Sequence, residues 1–426
     1  MYILFSQFIV LLHILNMKIK DFLSLAYLLS ACAMLSIGRI YDERLDFFDI
    51  RFSLLLTIIY FISTIVFLFS IRKLKFTKTK LTFLLLYLYI IVVTPILWII
   101  FEYGEYGFHK ITYEYMEYGV LKYVNFIFIV IPTSIIILEK FNYSNVLNLF
   151  KILFYLSVVL AVAGVNELYS DFEGRLSVFG GGPIIFGRWM GLAILFMFFY
   201  PKLKFKYIRI ILIAFFALML IATGSRGPIF SLLISLIIYF ILNFSKAYYK
   251  LFLALSVFSV VIVTPIGNKV MKLGSVDRIL MNIQYGGTKK STGARVDFVD
   301  RSVKLIKEYP FGVGCGNWQT QANKNTNKHL MVHSYPHNIF FEITTEYGII
   351  AGILFLILVL QVFYLSFKKL YKFRKNISSL YPLLFYSFIF FFVSTMLSGD
   401  LGDSRMFFII ISMLLINKPL IKKDNV

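Results

Sequence analysis

Apolar runs long enough to cross a hydrocarbon core recur along nearly the whole of this sequence, and no other feature constrains its fold as strongly. Such a core is roughly 30 Å thick and takes about 17–25 helical residues to cross. Twelve segments read as spans, at approximately 21–40, 52–70, 81–101, 119–138, 147–167, 184–200, 208–223, 228–244, 250–267, 337–365, 379–397 and 402–417. In lipid every backbone donor and acceptor needs a partner within the protein, which restricts a spanning structure to helices or a closed barrel. The runs are continuous rather than alternating with period two, so helices are expected. Of the 426 residues 59% are hydrophobic and 15% charged, more apolar surface than the core of a soluble domain of this length hides. The expected fold class is therefore all-α: a polytopic integral membrane protein of about 12 transmembrane helices with one large extracytoplasmic loop containing short amphipathic helices. The expected divisions are helices 1–9 over residues 1–267, the large loop over 268–336, and helices 10–12 over 337–426. Residues 1–16 read as an N-terminal extension without a small-residue cleavage pattern.

The net charge of +21 suggests nucleic acid until its distribution is considered. Basic residues sit mostly in alternate short connections: Arg72, Lys73, Lys75, Lys78 and Lys80, then Lys140, then Lys202 to Arg209, then Lys368 to Lys375. The intervening connections are acidic or mixed, with Asp42, Glu43, Glu102, Glu105, Asp171, Asp400 and Asp403. That alternation predicts an inner-membrane protein with both termini cytoplasmic, and no nucleic-acid partner. Residues 268–336 break the rule, being strongly basic on the expected outer side. Loops of this length cross regardless of charge. Their basicity is either a solvated face near anionic lipid or a site for an anionic substrate such as a lipid pyrophosphate. Within them, Val296, Val299, Val303 and Ile306 recur at helical spacing over 294–309, predicting an interfacial amphipathic helix that ends at Pro310 and the Gly-rich 311–316.

Three of the five histidines fall between His329 and His337. His337 follows Pro336 and is expected in the first turn of the tenth span, where a neutral imidazole accepts a proton from a sugar hydroxyl or merely hydrogen-bonds at the interface. Metal ligation by His333 and His337 is disfavoured by the intervening proline. Asn338, Glu342 and Glu346 follow on one helical face. Glu342 reads as an orienter of His337 or of an arginine, Glu346 as structural, and Gly348 with Gly352 as a helix-packing pair. In Thr223-Gly224-Ser225-Arg226-Gly227-Pro228 the arginine can present a planar fork to phosphate oxygens, or snorkel. Arg175 is a second candidate anion ligand, and Arg188, inside the start of a span, needs a partner. Walker A, dinucleotide and zinc-ligand patterns are missing from the contexts they require. Two cysteines, Cys32 in an apolar run and Cys315 in a polar loop, give no disulfide framework.

Ser225-Arg226-Gly227, Thr292-Gly293-Ala294-Arg295, Tyr309-Pro310-Phe311-Gly312-Val313-Gly314 and Pro336-His337-Asn338, followed by Glu342, Glu346, Gly348 and Gly352, occur in an order that resembles the O-antigen ligase and O-antigen polymerase superfamily. The resemblance implies a GT-C type membrane glycosyltransferase acting on undecaprenyl-diphosphate-linked sugars at the outer face, without metal or other cofactor. It further implies that Arg226 and Arg295 hold the diphosphate and that His337 assists the acceptor hydroxyl, with Arg175, Arg188, His333, Asn338 and Glu342 as substrate-binding candidates. Polymerisation of lipid-linked repeat units into O-antigen or capsular polysaccharide is the favoured reading, with chain-length regulator and flippase proteins as partners beside membrane lipid. Ligation of polymer to the lipid A core, transfer to a protein hydroxyl, and transport of the lipid-linked sugar are the alternatives. Transport predicts charges near mid-membrane and small loops on both faces, which the spans here do not show.

Overall fold

The computed structural model describes residues 19–38, 51–71, 76–100, 119, 121–169, 175–178, 182–200, 206–243, 289–322, 335–374, 376 and 378–421. Among these the regular elements are all helices, apart from one bridge between Ser379 and Ile421. In chain order they are α1 (Ile19–Ile37), α2 (Phe52–Phe69), α3 (Lys78–Leu88), α4 (Thr94–Ile100), α5 (Ile131–Lys140), α6 (Tyr143–Tyr169), α7 (Pro183–Phe199), α8 (Lys206–Ala222), α9 (Arg226–Leu242), α10 (Lys289–Glu308), α11 (Trp318–Ala322), α12 (Ile339–Tyr347), α13 (Ile349–Phe373), α14 (Tyr381–Leu397) and α15 (Arg405–Leu414). A wide π turn, Tyr89–Val93, joins α3 to α4, and another, Phe126–Val130, leads into α5.

Among the described residues five helical stretches are long and apolar enough to cross a membrane, Phe52–Phe69, Lys78–Leu97, Leu121–Lys140, Tyr143–Glu167 and Ile349–Phe373, and six shorter apolar helices accompany them. The chain is thus a helical membrane protein. The expected span at 250–267 lies outside the described residues. α2 turns Phe52, Leu55, Ile58 and Ile62 outward, as bilayer contact requires, while Ser53, Thr57, Tyr60 and Thr64 are buried. Lipid is as apolar as leucine, so packing and internal hydrogen bonds hold such helices together rather than the hydrophobic effect. Tyr60 shows this: its hydroxyl lies 2.9 Å from Thr133 Oγ1. At the centre stands α15, buried along its whole length, with Phe407 stacked on Phe388 and Phe408 edge-on to Phe126.

The bundle has two distinct ends. At one, lysines and arginines cap the last carbonyls of helices: Lys140 donates to Ser70 O after α2 (2.6 Å), Lys80 to Leu138 O in α5 and to Glu139 (2.8 Å), Arg209 to Tyr200 O after α7, and Lys369 to Leu414 O in α15. Those carbonyls have no partner within their own helices. The opposite end carries the starts of α7 and α9 and the ends of α1, α8 and α14, with α12 seated against it.

The tenth expected span, 337–365, is corrected by the structure. Its apolar character is continuous, yet the helix breaks at Gly348, whose φ of +92° lies in a region close to glycine-only, and α12 and α13 are separate helices. The break is held from outside. Val313 N–H donates to Thr345 O (2.8 Å) and Gly314 N–H to Glu346 O (3.1 Å), satisfying the end of α12, while Ile349 N–H donates to Pro310 O (2.9 Å). Backbones meet so closely that a Cβ on Gly312 would lie 2.5 Å from Glu346 O, and one on Gly348 2.8 Å from the Phe311 carbonyl carbon. Gly352 admits the side chain of Thr344 against α13, the packing role expected of that small residue. Replacing Gly348 with alanine is therefore expected to lower stability by about 1–3 kcal/mol from backbone strain alone, with the melting temperature of detergent-purified protein as the measure.

Candidate functional site

The amphipathic segment forms α10, starting earlier than expected and ending at Glu308, just before Pro310. Two of the stripe valines, Val296 and Val303, face outward, while Phe298, Ser302 and Leu305 turn inward onto a small core with Val313 and Trp318. Trp318 Nε1 donates to Ser302 Oγ at 2.9 Å, and Ser302 Oγ donates to Phe298 O at 2.7 Å. Phe298 then stacks on the His337 imidazole, centroids 5.7 Å apart at 21°, and Tyr335 tilts against it at 4.1 Å. Arg295 occupies the position one turn before Phe298 in α10, but its side chain, like all of His333, lies outside the described residues.

His337 does not sit in a first helical turn as expected. Asn338 is the N-cap, its Oδ1 accepting from Phe340 N–H (3.0 Å) and Phe341 N–H (3.2 Å), and helix begins at Ile339. His337 precedes the cap with φ +56°, the one non-glycine residue among those described with positive φ. Such strain costs on the order of 1–3 kcal/mol and collects at functional positions. Asn338 Nδ2 also donates to Met396 O near the end of α14 (3.1 Å), so one side chain joins the start of one helix to the end of another.

The same end of α14 gathers the other candidates. Arg188 is buried and spends every guanidinium nitrogen there: Nε on Ser394 Oγ (2.8 Å), Nη1 on Asp403 O (2.7 Å), and Nη2 on Ser398 O (2.5 Å) and Ser394 O (3.3 Å). Arg405 donates to Leu35 O and Ser36 O at the end of α1 and to Gly402 O. Arg175 donates to Thr223 O, just past α8, and to Ser225 Oγ at 2.8 Å. A Cβ on Gly227 would lie 3.9 Å from both Leu397 Cβ and Ser398 Cβ, which sets the start of α9 against α14 as well. Arg226 itself is exposed and has no hydrogen-bond partner among the described residues. The chain neighbours of Arg226 and His337, Gly227 and Asn338, thus both meet one short stretch, Met396 to Ser398.

Among the described residues Glu342 meets neither His337 nor an arginine in a hydrogen bond. Lys122, from Leu121–Lys140, pairs with Glu342 Oε1 and with Glu346 Oε2 (2.6 Å), all three side chains being buried. Glu342 Oε1 also accepts from Leu401 N–H (3.1 Å). Removing one partner of such a buried group costs roughly 3–5 kcal/mol, because a charge is left alone in a medium of low dielectric. Lys122 and Arg405 were missed in the sequence reading; the available signal was a basic residue inside an apolar run, which demands a partner. Around the Ser398–Ser404 turn, burial and the neighbouring Asp400 push Asp403 up to about 6 against the pull of Arg188, and burial beside Asp403 and Asp400 raises the Tyr335 phenol.

The segment that carries this arrangement is also the one with known relatives. Residues 210–356 match the model of the family described as O-antigen ligase. Over that segment, about a third of the chain, the sequence is similar to the O-antigen ligase family. The match spans most of α8, then α9 to α12 and the start of α13, and includes Arg226, Arg295 and His337. No curated protein matches the chain in sequence. Arg188 and Arg226 lie at the same end of the bundle and differ in their surroundings, the first buried and the second exposed. Arg188→Leu leaves several buried oxygens without donors, at about 1–3 kcal/mol each, and is expected to depress the melting temperature sharply, whereas Arg226→Ala leaves it unchanged; differential scanning fluorimetry on both variants distinguishes them.

Proposed function

We propose that the protein transfers a glycan from a polyprenyl-diphosphate carrier to a sugar hydroxyl, and that the transfer extends a polysaccharide repeat by repeat. The observation that carries this reading is a strained, aromatic-flanked imidazole and an exposed guanidinium, without a hydrogen-bond partner among the described residues, each one residue away from a contact with the same end of α14, within the family segment. In the proposed step the acceptor hydroxyl oxygen bonds to the anomeric carbon while that carbon's bond to the diphosphate oxygen breaks. The hydroxyl proton passes to His337, and the electron pair leaves with the diphosphate. Arg226, with Arg295 from α10, neutralises the departing charge, help that is strongest where water is excluded. Arg175 steadies the turn that presents Arg226, and His333 is kept as a further substrate contact. Arg188, Asn338 and Glu342 hold the frame on which these residues stand. No metal or other cofactor is needed, since the bond energy resides in the carrier-linked donor.

Charge asymmetry supports the sidedness. The end capped by Lys80, Lys140, Arg209 and Lys369 borders the basic connections, which supports a cytoplasmic side for that end and the outer face of the inner membrane for His337 and Arg226. The family description favours a second reading, in which the acceptor is a lipid A core sugar and the protein a ligase. A strain lacking the protein decides between them on a lipopolysaccharide gel: loss of polymerisation leaves a single repeat on core, and loss of ligation leaves bare core. His337→Ala is expected to reproduce the deletion pattern with undiminished protein in the membrane. An unaltered ladder in that variant removes His337 from the reaction.

A further inference from the structure

We propose that Lys122 is the positioning residue for His337, acting through Glu342 and the start of α12; the inference rests on the transferase reading above. Lys122 stands in a separate helix, 224 residues from Glu346 in sequence, with its ammonium between two carboxylates one turn apart on α12. Of those carboxylates, Glu342 lies nearer the start of α12, in its first turn, and also takes the Leu401 N–H from the turn after α14. That cation therefore ties α12 to the helix of Leu121–Lys140 and, through Glu342, to that turn. His337 is joined to the start of α12 through the Asn338 cap, lies against Phe298 and Tyr335, and is held in a backbone conformation that a non-glycine residue rarely keeps unaided. A small rotation of α12 carries the imidazole with it.

The guanidinium at Arg226 does not depend on this device. It stands at the start of α9, braced by Arg175, Thr223 and Ser225 and by the contact of Gly227 with α14. Lys122 should thus govern the chemical step and leave the grip on the carrier alone. A residue that served only general stability would affect both together.

The test uses full-length protein in lipid nanodiscs, with lipid-linked oligosaccharide extracted from the source strain as the turnover substrate and undecaprenyl diphosphate as the binding probe. Lys122→Met is expected to lower kcat about 100-fold, the scale of a displacement near 1 Å, while KM and the Kd for undecaprenyl diphosphate stay within about twofold. Lys122→Arg, which keeps the charge, recovers part of kcat. Wild-type turnover in Lys122→Met overturns the proposal, as does a parallel loss of kcat and probe binding. Where Lys122→Met fails to reach the membrane, the isosteric pair decides: Glu342→Gln lowers kcat with KM unchanged and Glu346→Gln does not, whereas equal effects of the two, or none, overturn it. A wild-type protein that turns over no lipid-linked oligosaccharide contradicts the transferase reading instead.

Discussion

A helix that ends in apolar surroundings leaves its last carbonyls without donors, and much of this structure is organised around supplying them. Arg405 does so for α1, Arg175 for α8 and Arg188 for α14, while Lys140, Lys80, Arg209 and Lys369 do so at the opposite end. A guanidinium suits the task because its planar fork reaches several carbonyls at once without losing its charge. Arg188 engages three residues, Ser394, Ser398 and Asp403, and so fastens both the end of α14 and the turn that follows it. That fastened end is where α9, α12 and the turn after α14 meet.

On this frame the chain places its least relaxed feature. Continuous helix from His337 onward would carry the imidazole down one face of a long span. The break at Gly348 instead makes α12 a short independent helix, clamped at its end by the backbone of Val313 and Gly314 and along its length by Lys122. The Gly-rich segment after α10 therefore serves two partners. It closes α12 and, through Val313 and Trp318, seats α10 so that Phe298 covers His337. Arg226, by contrast, is left with an exposed charge beside a region otherwise dense in satisfied polar groups.

The helical membrane architecture was legible because spanning lipid demands long apolar runs, and hydropathy records them directly. The order of Arg226, Arg295 and His337 was legible as a resemblance. The break at Gly348 was hidden because Ile349 and Ile350 continue the apolar run, so hydropathy does not change across it. Its cause is a backbone contact with Phe311 and Pro310, which no local pattern records. Glu342 was read within its own helix, where spacing suggested His337; its partner is more than 200 residues away. Arg188 was recognised as needing a partner, but its acceptors are mostly backbone carbonyls, which every residue carries and no sequence pattern marks.

In the proposed reaction His337 and Arg226 face one bound carrier near the end of α14. Electron cryomicroscopy of the protein in nanodiscs loaded with undecaprenyl diphosphate tests it most directly. Diphosphate density is expected against the Arg226 guanidinium, opening toward His337, with α12 and the Ser398–Ser404 turn in place. Diphosphate density at the opposite, lysine-capped end of the bundle, or a wall of protein between Arg226 and His337, would contradict it.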